Sequence, residues 1–164
     1  MQLFILDRDP EIAASMLCDS HLRKMCLETA QILSSIMTIK NMSPESGMPK
    51  AYNLKHPVIT ALDTPYKINW IVLHNIALHR EYIRRFGKEH SYMKLAMRYK
   101  KYLFSENAEF DDSFCRNFKD FQSPHQDIVA AYRSYYIHKK SIMKKWSYTN
   151  AAEPVWLKNR DFSG

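Results

Sequence analysis

Residues 64–87, TPYKINWIVLHNIALHREYIRRFG, read as one uninterrupted helix, and that helix decides the fold. Thr64 before Pro65 is a helix start: the hydroxyl can cap free backbone N–H groups, and proline at the first helical position gives up a donor that has no intrahelical partner. Arg84, Arg85 and Gly87 make the matching stop, with cations where the helix dipole is negative and a glycine where the chain turns left-handed. Between these signals Ile68, Trp70, Ile71, Val72, Leu73, Ile76, Ala77 and Leu78 are apolar nearly all the way round. A helix of that kind is buried, so this segment is the expected centre of the molecule.

Other helices should gather around it. Asp9 and Pro10 repeat the cap-and-proline start, and Asp19-Ser20 interrupts or restarts the helix that follows. Beyond that point Leu22, Met25, Cys26, Thr29, Ile32, Leu33 and Ile36 recur at helical spacing and mark a core-facing stripe. Residues 41–57, with Pro44, Pro49 and Pro57, read as a long surface loop. Tyr92, Leu95, Tyr99 and Leu103 predict a helix from Tyr92 to Phe104, and residues 105–123, with Glu106, Glu109, Asp111, Asp112 and Asp120, an ordered acidic loop. Ser123-Pro124-His125-Gln126 reads as a capping box that opens a last long helix running to Trp146. Residues 2–6 form a short apolar run, either an extended buried segment or a strap, and the aromatic tail with Trp146, Tyr148 and Trp156 should pack back on the body. The expected fold is all-α: a single compact domain over residues 1–164, built around three or four main helices with long ordered loops.

Composition agrees with that architecture and bounds the function. The 164 residues hold only three glycines and are 46% hydrophobic, which disfavours disorder and a turn-rich β architecture. Twenty-four Lys and Arg against seventeen Asp and Glu leave a net charge of +7, so a polyanion is a natural partner. The plainer reading is a soluble basic surface. Cys18, Cys26 and Cys115 lack the spacing of a zinc site or redox pair, and no HxxxH or HExxH pair occurs among the seven histidines, so neither metal nor cofactor is expected. The opening apolar run meets Asp7 too soon for a signal peptide or a membrane span, and a reducing cytoplasm is the expected location.

The residues best placed for chemistry are His21, Lys24, Glu28 and Gln31, whose spacing puts them on one helical face beside the apolar stripe. There, partial burial and a neighbouring ammonium tune proton affinities. The alternative is a solvated face carrying a Lys24–Glu28 ion pair. The last helix combines Arg133, Lys139, Lys140, Lys144 and Lys145 with Tyr132, Tyr135 and Tyr136, either as phosphate contacts and rings for base stacking or as an ordinary amphipathic helix with core tyrosines.

Asp19-Ser20-His21-Leu22, followed by Glu28 seven residues after the histidine, resembles the pyrimidine dimer DNA glycosylase family of the endonuclease V type, which has D-x-H-L and then its catalytic glutamate at that spacing. The run from Tyr66 to Lys88 with its Arg84-Arg85-Phe86-Gly87 end, and Pro124-His125 leading through a basic helix to Trp146, are similar to later blocks of the same family. The resemblance implies a helical domain that binds duplex DNA, flips a nucleotide out and cuts an N-glycosidic bond with an amine nucleophile. It assigns the catalytic glutamate to Glu28, the active-site histidine to His21, a phosphate-side lysine to Lys139 and the C-terminal aromatic to Trp146.

Position 2 is Gln, where the family carries a small residue exposed by removal of the initiator methionine. The amine of Met1 could then serve as nucleophile; otherwise Glu28 would have to activate water. The family's phosphate-holding arginines correspond to Leu3, Leu27 and Gln31, leaving Lys24, Arg133 and the lysine patch as substitutes. The leading expectation is a DNA N-glycosylase, with or without lyase activity, acting on a damaged or modified pyrimidine. The alternatives are a non-catalytic nucleotide or nucleic-acid binding protein of phage accessory or counter-defence type, and an enzyme cutting N-glycosidic bonds of free nucleotides.

Overall fold

A computed structural model of the chain describes residues 1–43, 46–103 and 110–158. The expected loop residue Pro44, and Phe104, Glu106 and Glu109 of the expected helix end and acidic loop, lie outside the described residues.

The chain is all-α: helices α1 (Pro10–Ser15), α2 (Asp19–Ile39), α3 (Pro57–Thr60), α4 (Pro65–Phe86), α5 (Met93–Arg98), α6 (Ile128–Ile142) and α7 (Val155–Lys158) are joined by long irregular segments, with no strand among the described residues. Helix α4 follows its sequence signals at both ends. Thr64 Oγ1 accepts from Lys67 N–H, and Gly87 closes the helix at φ 65°, a left-handed conformation that a side chain would strain. α1 and α2 pack on α4, and residues 3–6 run beneath them as a fully buried strap.

The centre is more polar than the expected all-apolar helix. Leu73 lies 41% exposed, whereas Lys67, His74, Asn75, His79, Glu81 and Arg85 of the same helix are buried. Each charged group among them has partners. Lys67 Nζ donates to the Ala61 carbonyl at 3.1 Å and to Asp63 at 2.8 Å. Arg85 donates from Nε to Glu81 at 2.6 Å, from Nη1 to the Leu17 carbonyl at 2.6 Å and Asp19 at 3.2 Å, and from Nη2 to the Ser15 carbonyl at 2.7 Å. One guanidinium thus ties together the end of α1, the start of α2 and α4.

Three boundaries differ from the sequence reading. The 92–104 segment is helical only to Arg98 and then tightens into a 3-10 turn, Tyr99–Tyr102. The last long helix does not begin at the Ser123-Pro124 box. Arg116 donates to the carbonyls of His125 and Gln126, which a helix from Pro124 would need for its own bonds, and the start moves to Asp127, whose carboxylate accepts from Ala130 N–H at 2.8 Å. Nor does the helix reach Trp146. Met143 turns extended, because the chain must swing back to set the Ser147 carbonyl on Asp19 N–H at 2.9 Å. Tyr132, Tyr135 and Tyr136 of α6 are buried, so of the two readings of this helix its tyrosines follow the amphipathic one and pack in the core.

Because Arg85 is enclosed and every donor group on it is used, Arg85→Ala should cost about 3–5 kcal/mol in urea unfolding, and Arg85→Lys should not restore it, since an ammonium lacks the planar fork. A loss under about 1 kcal/mol would show that the four partners hold without it.

Candidate active site

The N-terminus of α2 sets the site. Asp19, its first residue, is buried and accepts from Ser147 Oγ at 2.9 Å, Thr149 N–H at 3.0 Å, Thr149 Oγ1 at 2.7 Å and Arg85. Burial alone would raise its pKa, but these donors outweigh it and hold the carboxyl below its ordinary value. The aspartate of the D-x-H-L block is therefore an anchor, pinning α2 to α4 and to the returning C-terminal segment. His21 sits two residues further on, and its place follows from that anchor.

His21 is 6% exposed. Its ring stacks on Phe4 at 4.6 Å, meets Trp146 edge-on at 5.5 Å, and places Nδ1 3.0 Å from the Tyr136 hydroxyl. That hydroxyl also accepts from Cys18 N–H at 2.8 Å, so it links the imidazole to the backbone at the start of α2. Burial, helped by the charges of Lys24 and Lys139, pushes the His21 pKa down to about 4, and the ring is neutral at pH 7. Phe4, which backs it, has φ 53°, rare for a bulky residue and costly by about 1–3 kcal/mol. The strain is held because the ring is wedged between His21, Tyr135 and Tyr136.

Two turns along α2, Glu28 makes an ion pair with Lys24 through Oε1 at 3.2 Å. Its Oε2 is enclosed and has no hydrogen-bond partner. Lys24 is largely exposed, whereas the Glu28 side chain is mostly covered, so the pair sits at the edge of the core and is not a freely solvated face. His56, which caps α3 by accepting from Val58 N–H through Nδ1, lies within electrostatic reach of both Glu28 and the N-terminal amine. Its pKa is lowered, first by burial and then by the amine, while Glu28 works in the opposite sense. The charges of the Met1 amine and of the Glu28 carboxylate are thus both felt at the His56 imidazole.

The other nominated residues are distributed as follows. Lys139 and Trp146 reach the His21 cluster, although Lys139 approaches from α6 and Trp146 from beyond it. Arg133 is engaged inside the protein, donating to the Leu6 carbonyl at 2.8 Å and to Asp7 at 3.2 Å, so it clamps the N-terminal strap. Gln31 lies on α2 a turn beyond Glu28 and is half-buried. Lys140 is paired with Glu153 at 2.5 Å, and Lys144 and Lys145 lie past the helix end, so the four lysines do not form one helical patch. The sequence did not single out Phe4, and it weighed His56 only among the scattered histidines and Tyr136 only as a ring of the last helix. No linear pattern joins them to His21 or Glu28, because they come from the strap, the start of α3 and α6 and meet α2 only in space.

Comparison with known proteins gives one finding. A family model described as pyrimidine dimer DNA glycosylase matches residues 1–94, a span that holds the strap and helices α1 to α4, and with them Met1, His21, Glu28 and His56. Arg133, Lys139 and Trp146 fall outside it. No curated protein and no solved structure gives a significant match.

His21, His74 and His79 are all held near a pKa of about 4, chiefly by burial, against roughly 6.5 in an unfolded chain. Between those values the unfolded chain takes up protons that the folded one refuses, so stability is full above about pH 6.5 and falls as the pH drops toward about 4. Three such groups should give a slope of about 3–4 kcal/mol per pH unit near pH 5 in urea titrations, and His21→Asn should remove about a third of it. A flat profile over that range would show the rings to be charged in the fold.

Proposed function

That the chain belongs to the pyrimidine dimer DNA glycosylase family is the premise from which we propose its activity: excision of a damaged or modified pyrimidine from duplex DNA. One observation carries the catalytic assignment. Glu28 Oε2 is an enclosed carboxylate oxygen without a donor, and its charge, like that of the Met1 amine, is felt at the His56 imidazole. Buried polar atoms in native proteins are nearly always paired, and an unpaired anion is suited to a positive charge that arises only during the reaction.

Cleavage of an N-glycosidic bond passes through a sugar with cationic character at C1′. In the proposed sequence the Met1 amine attacks C1′ as the bond to the base breaks, and the base leaves with the electron pair. Glu28 stabilises the charge on the sugar, and loss of a proton from the attacking nitrogen permits the sugar ring to open to an imine. Such an imine would also permit strand cleavage by elimination at the neighbouring carbon. Lys24, paired with Glu28 and largely exposed, is the proposed contact for an incoming phosphate. His21, packed under Phe4 and Trp146, is a positioning residue: neutral, it shapes the floor without adding a charge that would repel the sugar cation. The net charge of +7 supports attraction to duplex DNA, and extruding the nucleotide costs a few kcal/mol that contacts to the flipped base and backbone must offset. Lys139 and Trp146 are the proposed C-terminal contributors, the first to a phosphate and the second to the wall against which the extruded nucleotide rests.

Glu28→Gln keeps the shape and removes the charge, so it should reduce cleavage of dimer-containing duplexes by about 10²–10³-fold while leaving duplex binding intact. Borohydride reduction during turnover should trap a covalent adduct, and peptide mapping should place it on Met1. A wild-type protein that cleaves no lesion in a panel of damaged pyrimidines, or a Glu28→Gln variant of undiminished activity, would overturn the proposal. Cleavage with no trapped adduct would move the attack to a water activated by Glu28.

A further inference from the structure

On the opposite side of α2 from Glu28, about 200° around the helix, a second group of chemically capable side chains meets. Cys26 of α2, His79 of α4 and His90 from the segment after Gly87 bring one sulfur and two ring nitrogens to within 4.8 Å of one another. We propose that these three residues bind a single thiophilic transition-metal ion of the zinc class, and that the bound ion staples α2 to α4.

The argument rests first on His79. It is fully buried, and neither ring nitrogen has a well-formed hydrogen bond. An imidazole left this way forfeits several kcal/mol of solvation, a deficit that coordination of one nitrogen would remove. The other ring nitrogen could then donate to the Cys26 carbonyl, which lies close enough to favour its protonated form. Asn75, one turn back on α4, leaves its own Oδ1 unpaired, so the unmet polar demand is concentrated in this seam.

The geometry suits a small ion. Zinc bonds of about 2.0–2.3 Å in a tetrahedral arrangement separate ligand atoms by roughly 3.3–3.6 Å, so the cluster needs to contract by about an ångström. His90, the least buried of the three, can supply that movement: its ring is packed edge-on to His79 at 5.3 Å and to Tyr82 at 5.1 Å, and is otherwise held by a long contact of 3.4 Å from Tyr92 N–H. A thiol with two imidazoles selects Zn(II), Co(II) or Cu(I) over magnesium and calcium, which want oxygen. On binding, the Cys26 thiol gives up its proton to solvent and the thiolate bonds the ion, with no change of oxidation state. Three protein ligands would leave a fourth position for water. No spacing in the sequence announces the site, because its ligands come from three separate elements.

The test is titration of tag-free, chelator-treated protein with Co(II), followed by displacement with Zn(II). One equivalent should produce a sulfur-to-cobalt charge-transfer band in the near ultraviolet, and zinc should abolish the band and raise the melting temperature. Cys115→Ser should keep the band and Cys26→Ser should lose it. His90→Gln, at a half-buried position where folding is least threatened, should weaken binding by more than the roughly 10- to 100-fold that outer-shell changes cause. A wild type without the band, a band that survives Cys26→Ser, or unchanged affinity in His90→Gln would overturn the proposal. None of these readouts depends on DNA cleavage, so failure here leaves the reading of Glu28 untouched.

Discussion

The buried guanidinium of Arg85 is the interaction on which the arrangement depends. Its partners are the carbonyls of Ser15 and Leu17, the carboxylates of Asp19 and Glu81, and the face of the Tyr148 ring, 5.4 Å away. A charge placed in a core is tolerated only where every donor is met, and the requirement runs both ways: the chain must present those carbonyls and carboxylates at that point. Glu81 answers it from the same helix, one turn back. Asp19 and the two carbonyls answer it from the junction of α1 and α2, which fixes where α2 starts.

From that fixed start the catalytic candidates are a matter of helical arithmetic and of what closes over them. Asp19 holds the 147–149 segment, which returns the chain from α6 and lays Trp146 against His21. Arg133 grips the carbonyl of Leu6 and the carboxylate of Asp7 and so holds the strap that carries Phe4 and Met1. The strap is strained at Phe4, and the aromatic packing around His21 sustains the strain. The strap and the C-terminal segment thus converge on one helix, where Phe4 and Trp146 both pack against His21.

Two faces of α2 serve different ends. One presents Lys24 and Glu28, with an enclosed unpaired carboxylate oxygen. The other presents Cys26 and the Thr29 hydroxyl to α4, where Asn75 donates to Thr29 at 2.5 Å. A polar seam between two central helices is costly unless satisfied, and it ties their relative rotation more tightly than apolar contacts alone would.

How much of this was legible in the sequence follows from the range of each signal. Helix α4 was readable to within a residue because its cap, proline, arginines and glycine act within one turn of the chain, and the α2 stripe was readable because periodicity is local. The His21–Glu28 spacing and the family resemblance were likewise carried by neighbouring positions. The limits of α6 were not, because Arg116 and Asp19 compete from far along the chain for the backbone groups that would have lengthened it. Only the tertiary structure made Arg133 a clamp on the strap, set His56 within electrostatic reach of Glu28 and of the N-terminal amine, and gathered Cys26, His79 and His90. Local physics determined which segments coil; which side chains face one another depended on satisfying a few buried charges, and that condition exists only once the helices have packed.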